Sequence, residues 1–207
     1  MARPARTGTT VRLGVADHLG WAVVVSATSD LVVIERRRIE LVEAGLPAAP
    51  VHHEGGPHEM HRTGDPLSDD ELATLVGRVR ASAASTIARE FDRLASEVPG
   101  TIASVSLRSW PPEFPANVAD QRRAPHESQA DPIMYRQELA AAAARRGWAV
   151  ARYDARSVEG EARGIMGDTG TDPLQHPRTV LGTPWTKDHR IAFAAVIVAE
   201  RSTSSHP

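Results

Sequence analysis

Histidine and acidic side chains are concentrated in one short run of the chain that could bind a metal ion. The run spans residues 52–61 and contains His52, His53, Glu54, His58, Glu59 and His61. Imidazole and carboxylate groups together suit zinc, nickel or iron, and the glycines among them allow the backbone to wrap around an ion. Their spacing matches no standard metal motif, so a solvated polar loop is the competing interpretation.

Arginine and aromatic residues gather in a second run that could hold phosphate and a base. They are Arg108, Trp110, Phe114, Arg122 and Arg123. A guanidinium beside an aromatic ring can bind a phosphate and stack a nucleobase, although a tryptophan followed by two prolines is also typical of a packing corner, which we favour for Trp110. Lys187 is the only lysine among 24 basic residues. Arginine is thus enriched throughout, as in GC-rich actinobacterial coding, and its clusters are weaker evidence of function.

Two aspartates stand where predicted elements begin or end. Asp17 closes the first apolar run and could be a metal ligand or a turn former, since its side chain can bond to its own backbone. Asp188 lies in the first turn of a predicted helix, where the helix dipole alone would favour an acid. Lys187 beside it faces the positive end of that dipole, a conflict that a bound phosphate would relieve.

The elements that must position these residues alternate along the chain. Alternating apolar residues and turn signals predict three strands in the first 41 residues. Ser68 and Glu71 form a capping box before a helix at 69–97, and a fourth strand covers 101–110. A helix with Asp131 as N-cap, a fifth strand near 148–154 and a last helix from Lys187 complete the order β-β-β-α-β-α-β-α. We therefore expect an α/β domain with a mixed five-stranded sheet, strand 1 lying between strands 2 and 4.

The element order, the segment "LGVADHLGWAVVV" and the acid in "TKDHRIAFAA" resemble the ribonuclease H-like superfamily, in particular the branch of Holliday-junction resolvases and pre-ribosomal RNA nucleases. In that family the first strand and the last helix each present an aspartate, matched here by Asp17 and Asp188. The resemblance implies that these two are catalytic and hold Mg²⁺, which activates water for phosphodiester hydrolysis. It also implies DNA or RNA as the partner. From their charge, position and aromatic neighbours, Lys187, Arg108, Trp110, Arg122 and Arg123 are the candidate substrate-binding residues.

The chain departs from the family pattern at the end of the fourth strand. Nucleases of this type commonly carry an acid there, whereas this chain reads Leu107-Arg108-Ser109-Trp110, and Glu113 is the nearest acid that could join the metal. Two carboxylates alone leave a weak magnesium site. Two hypotheses follow: a nucleic-acid-directed protein, either a magnesium-dependent nuclease or a descendant that has lost catalysis, and a non-catalytic binding or assembly module that uses the two long loops.

The composition sets wider bounds. With 207 residues, 41% of them hydrophobic, and a net charge of −2, the chain predicts one domain at 11–201 with long loops at 44–67 and 111–130 and flexible ends at 1–10 and 202–207. Cysteine is absent, which excludes disulfides and thiolate metal sites. No apolar run reaches the roughly 20 residues that span a bilayer, so we expect a cytoplasmic protein without a membrane partner. The oligomeric state does not follow from the sequence.

Overall fold

Five strands form one mixed sheet. The computed structural model describes residues 8–55, 65–167 and 170–204. The strands are β1 (Thr10–Asp17), β2 (Trp21–Thr28), β3 (Val33–Glu40), β4 (Thr101–Arg108) and β5 (Ala149–Tyr153). Their spatial order is β3-β2-β1-β4-β5, with β1 antiparallel to β2 and parallel to β4, and β4 parallel to β5. The strand order confirms the expected ribonuclease H-like α/β sheet with β1 at its centre.

Six α-helices accompany the sheet in the described part of the chain. They are α1 (Asp69–Glu97), α2 (Val118–Gln121), α3 (Glu127–Ala144), α4 (Val158–Met166), α5 (His176–Leu181) and α6 (Lys187–Ser204). The amide of Glu71 donates to the Ser68 hydroxyl, and the amide of Ser68 donates to the Glu71 carboxylate at 3.0 Å. The capping box predicted at the start of α1 is therefore confirmed.

The two faces of the sheet are buried against different helices. On one face, Leu13 and Val15 of β1 belong to a core that includes Phe91 of α1 and Leu139 of α3. On the other face, alternate residues of the same strands pack with α4 and α6, as Val23 does in the core that contains Phe193. Burial on both faces explains why β1 and β2 read as nearly continuous apolar runs rather than as alternating ones.

The central strand and the last helix approach each other very closely. A Cβ atom added to Gly14 in β1 would lie 1.8 Å from the carbonyl oxygen of Ala192 in α6, so only glycine fits there. Arg12 of β1 forms an ion pair with Glu200 near the other end of α6, and also donates to the Ser104 hydroxyl of β4 at 3.1 Å. The docking of α6 therefore depends on both ends of its contact with β1.

Both long loops contain more structure than the sequence predicted. A π-helical segment, Pro50–Gly55, lies in the first, and α2 lies in the second. Asp131 does not cap α3, which begins four residues earlier at Glu127. Its buried carboxylate instead accepts the backbone amides of Val51 at 3.1 Å and His52 at 2.9 Å, and so satisfies donors of the π-helical segment.

Some expectations concern residues outside the described ranges. His58, Glu59 and His61 of the histidine-rich run lie there, as do most of the predicted flexible ends at 1–10 and 202–207. Among the described helices, none combines the length and the apolar character needed to cross a membrane.

Candidate functional site at the end of the central strands

The carboxylate of Asp17 is enclosed by two arginines. Asp17 is the last residue of β1 and is buried. Its Oδ2 accepts a hydrogen bond from Nε of Arg136 in α3 at 2.7 Å, and its Oδ1 lies 4.0 Å from Nε of Arg108, the last residue of β4. The place where the family pattern commonly has a second acid therefore holds a guanidinium that faces the first acid. The negative charge of Asp17 is compensated within the protein.

Tyr153 connects the ends of the three parallel strands β1, β4 and β5 through hydrogen bonds close to Asp17. Its hydroxyl donates to the carbonyl of Val15 at 2.6 Å, and its own carbonyl accepts from the amide and the hydroxyl of Ser109. Burial raises the pKa of Tyr153 well above its usual value, and the charge of Asp17 raises this pKa further. The phenol therefore stays protonated and keeps the ends of β1, β4 and β5 in register.

Asp188, the second predicted aspartate, has a different partner. Its Oδ2 lies 3.2 Å from Nε2 of His18, the residue that follows Asp17, and both side chains are partly exposed. The ring of His18 stacks on Trp21 with centroids 4.0 Å apart and an interplanar angle of 9°. The Cζ atom of Arg38 also lies 4.0 Å from the centroid of Trp21. Asp188 thus sits at the edge of a group of planar side chains.

The donors do not fit a magnesium site. Mg²⁺ is usually held through one or more free carboxylates in octahedral geometry, and it dehydrates reluctantly. Asp17 is hydrogen-bonded to Arg136 and faces the guanidinium of Arg108 at 4.0 Å, Asp188 lies beside His18, and Glu113 is exposed on the turn after β4. Within residues 8–55, 65–167 and 170–204, no three or more histidine and acidic side chains form a group that could hold a metal ion.

The predicted arginines of the second loop bind to the protein itself. Nε of Arg122 donates to the carbonyl of Gly55 at 2.9 Å, and its Nη1 pairs with Asp69 at 2.6 Å. Arg123 is exposed and pairs with Asp120. Arg122 therefore links α2 to the π-helical segment and to the start of α1.

Trp110 and Lys187 remain at the same end of the sheet as Asp17. Trp110 is partly buried against the core, as its packing role predicts, and Cζ of Arg152 in β5 lies 3.8 Å from its ring centroid. Lys187 is exposed at the first position of α6, next to Asp188. Two exposed cations, Arg152 and Lys187, therefore lie at the end of the sheet that carries Asp17.

Several residues of this region have no signal in the local sequence. Arg136 meets Asp17 across 119 positions, and Arg152 meets Trp110 from the neighbouring strand. His18 and Trp21 could have been noticed, because both flank the turn that follows Asp17. Their stacking depends on the tight connection between β1 and β2, which the amide of His18 closes by donating to the carbonyl of Trp21 at 2.9 Å.

The described part of the histidine-rich run lies elsewhere. Nδ1 of His52 is 4.0 Å from Oε1 of Glu127 in α3, and the rings of His52 and His53 are 5.4 Å apart. These residues border the Asp131 contacts and do not reach Asp17 through any described contact.

The chain is similar to two solved structures of Thermus thermophilus RuvC. No protein-family model and no curated protein matches it. It shares 14% identity with Thermus thermophilus RuvC in complex with a Holliday junction substrate, over 95% of this chain and 97% of that chain, with a TM-score of 0.48. A second Thermus thermophilus RuvC structure shares 14% identity over 94% and 96% of the two chains, with a TM-score of 0.45. The likeness is one of fold, which the strand order given above establishes independently.

Proposed function

We propose that this chain is a nucleic-acid-directed member of the ribonuclease H-like fold that binds its target without cleaving it. The observation that carries the proposal is the buried carboxylate of Asp17, paired with Arg136 at 2.7 Å and faced by Arg108 at 4.0 Å. A divalent ion that used Asp17 would have to displace one guanidinium and then lie beside the other. Repulsion between these like charges opposes binding of the ion.

The charges around this cluster suit a phosphate backbone. Arg152 and Lys187 are exposed at the same end of the sheet, and the side chain of Arg108 is 29% exposed. Cationic side chains bind nucleic acid by neutralising phosphates and releasing counterions, so the affinity should fall as salt rises. Because Asp17 is neutralised internally, it does not repel a phosphate as a free carboxylate would.

The test combines a binding assay with a cleavage assay on the same labelled substrates. We expect fluorescence anisotropy to show binding of a four-way junction, a duplex or a single strand in EDTA, and millimolar Mg²⁺ should not strengthen this binding. We expect no magnesium-dependent cleavage. Magnesium-dependent cleavage that disappears in Asp17→Asn would contradict the non-catalytic role and support the nuclease hypothesis.

A matched pair of variants tests where the nucleic acid binds. Arg152→Gln/Lys187→Gln removes two exposed cations at the site, and Arg78→Gln/Arg93→Gln removes two exposed cations from α1. We expect the first variant to bind about tenfold more weakly and to lower the slope of log affinity against log salt by about two. The second should change little. Equal losses in both variants would show general charge attraction rather than a site.

An assembly module remains the second hypothesis, and the contacts between the long loops support it. Arg122 and Asp131 tie the second loop and α3 to the segment Pro50–Gly55 of the first, so the described parts of the loops form one surface. Absence of binding to every nucleic acid would favour this hypothesis.

A further inference from the structure

A groove of about 640 Å³ opens between the outer strand β3 and the start of α6. Apolar side chains of β2, β3 and the segment before α6 form part of its wall: Val23, Ile34, Leu181 and Pro184. The rest of the lining consists of Trp21 and of polar or charged residues: Glu35, Arg36, Arg37, Arg38, Thr186, Asp188 and His189. A groove of this size that combines apolar walls with charged and hydrogen-bonding groups has room for a small polar ligand.

Arg36 supplies a positive charge to this groove. Its Nη1 donates to the carbonyl of Leu181 at 3.2 Å, which holds the side chain across the groove. Within the described part of the chain, Arg36 forms no ion pair, whereas the neighbouring Arg37 is paired with Glu35 and Glu97. An arginine fixed by a carbonyl and not by a carboxylate keeps its charge available for an anionic ligand.

His189 supplies a hydrogen-bond donor. Its Nδ1 accepts the backbone amide of Thr186 at 3.0 Å, so the proton of the neutral ring is on Nε2. Nε2 therefore carries an N–H group, and the ring lines the groove together with Arg36.

The acidic residues of the groove do not neutralise the positive charge of Arg36. Glu35 is committed to Arg37 at 2.6 Å. Asp188 also lines the groove, and its Oδ2 lies 3.2 Å from Nε2 of His18. The adjacent Lys187 is exposed.

A platform of planar groups borders the same groove. The ring of His18 and the guanidinium of Arg38 each lie 4.0 Å from the centroid of Trp21, so together they cover its two faces. The side chain of Arg38 is 56% exposed, so its guanidinium presents an outer face to solvent. Stacks of aromatic rings and guanidinium groups bind nucleobases of any sequence, because every base has a flat face.

We propose that the groove binds one unpaired nucleotide, whose phosphate contacts Arg36 and the N–H of His189 and whose base stacks on the outer face of the Arg38 guanidinium. The proposal rests on the proposed function and deepens it, since it names unpaired rather than paired nucleic acid as the preferred target. The shared chemistry, a phosphate attached to a base, could come from a strand or from a free mononucleotide.

The experiment compares three fluorescent oligonucleotides of equal length: a single strand, a paired duplex and a duplex with a two-nucleotide bulge. We expect the full chain to bind the single strand and the bulge about tenfold more tightly than the paired duplex, since stacking of one base has about that effect. Arg36→Gln keeps a donor for the carbonyl of Leu181 and removes the charge. It should abolish most of the preference while changing duplex binding less than about twofold.

Two further variants control this result. Arg38→Gln leaves the carbonyl contact of Arg36 intact and should also reduce the preference, so the test does not depend on one variant that could misfold. Arg89→Gln removes an exposed arginine from α1, on the opposite face of the sheet, and should leave the preference unchanged. Circular dichroism and thermal unfolding check the fold of each variant.

Competition with adenosine and thymidine monophosphates distinguishes the two sources of ligand. Displacement only at millimolar concentration supports a strand, and tight Arg36-dependent binding of a mononucleotide supports a free nucleotide in the same groove. Equal binding of paired and unpaired substrates, unaffected by Arg36→Gln, overturns the groove while the proposed function stands. If no oligonucleotide binds, the proposed function fails, and the groove fails with it unless a mononucleotide binds in an Arg36-dependent manner.

Discussion

At the scale of residues, the pairing of Asp17 with Arg136 and Arg108 turns a carboxylate that could hold an ion into a structural element. We expect Asp17→Asn to lower the free energy of unfolding by about 3 kcal/mol, because it leaves two largely enclosed guanidinium groups without their counter-charge. Urea unfolding at pH 7 measures the change. Asp92→Asn, which removes an exposed partner of Arg146 on α1, serves as the control and should cost less than about 1 kcal/mol.

A loss of less than about 1 kcal/mol in Asp17→Asn would contradict the structural role of the pair. It would show that Asp17 is held more loosely than its burial and the 2.7 Å contact indicate.

Asp131 gives a second prediction, on pH dependence. Burial raises its pKa to about 6, although the amides of His52 and Val51 oppose the shift. A pKa raised above the unfolded value stabilises the folded state fully below about pH 4, and this contribution disappears as the pH rises through about 6. We expect the wild-type free energy of unfolding to fall by about 2 kcal/mol between pH 4 and pH 7, relative to Asp131→Asn.

The comparison with Asp131→Asn isolates this group from its titratable neighbours. Glu127, His52 and Tyr135 lie in the same region and are present in both proteins, so their contributions cancel in the comparison. Parallel stability profiles for the two proteins between pH 4 and pH 7 would show that Asp131 is ionised throughout this range.

At the scale of elements, the contact between β1 and α6 leaves no room for a larger side chain at Gly14. We expect Gly14→Ala to destabilise the chain by about 3 kcal/mol or more, since its Cβ would overlap the carbonyl of Ala192 in α6. Gly77→Ala, in an exposed turn of α1 with open space around the added Cβ, should instead stabilise by about 0.5–1 kcal/mol. Thermal unfolding of both variants measures the contrast. A neutral Gly14→Ala would show that α6 can shift away from the sheet.

The local sequence pattern correctly predicted those elements that depend on a single buried face or on a single helix cap. The start of α1 follows from Ser68 and Glu71, and the five strands follow from runs of β-branched residues and turn signals. The start of α3 was wrong, because Asp131 satisfies amides of a distant segment rather than those of its own helix. An aspartate that caps its own helix and an aspartate that accepts hydrogen bonds from a distant segment have the same local sequence. Only the tertiary contact distinguishes the two roles.

The candidate site was predictable only in part, for the same reason. The position of Asp17 at the end of the central strand follows from the strand order. The presence of Arg108 in place of an acid is visible in the sequence, but its approach to Asp17 and the contact from Arg136 depend on the packing of α3 against the sheet. The side-chain stacking of His18, Trp21 and Arg38 needs the register of β2 with β3, which places Val23 opposite Arg38.

At the scale of the whole molecule, the two faces of the sheet carry helices with different roles. One face carries α1 and α3, which bring Arg136 to Asp17 and hold the two long loops together. The other carries α6, which brings Asp188, His189 and the wall of the groove beside β3. The proposed site and the proposed groove therefore meet at the end of β1, where His18 follows Asp17, and one strand of nucleic acid could contact both.

The packing of α6 on β1 also determines when the molecule can become folded during its synthesis. Arg12 and Glu200, which join these two elements, are 188 positions apart. The ribosome must therefore synthesise all of the residues between them before the two side chains can form their contact. Until α6 has been synthesised, Ala16, Val23 and Val25 lack the helix that covers them and expose an apolar face of the sheet to water. A nascent chain that contains β1 and β2 without α6 therefore presents a surface on which aggregation or chaperone binding can occur.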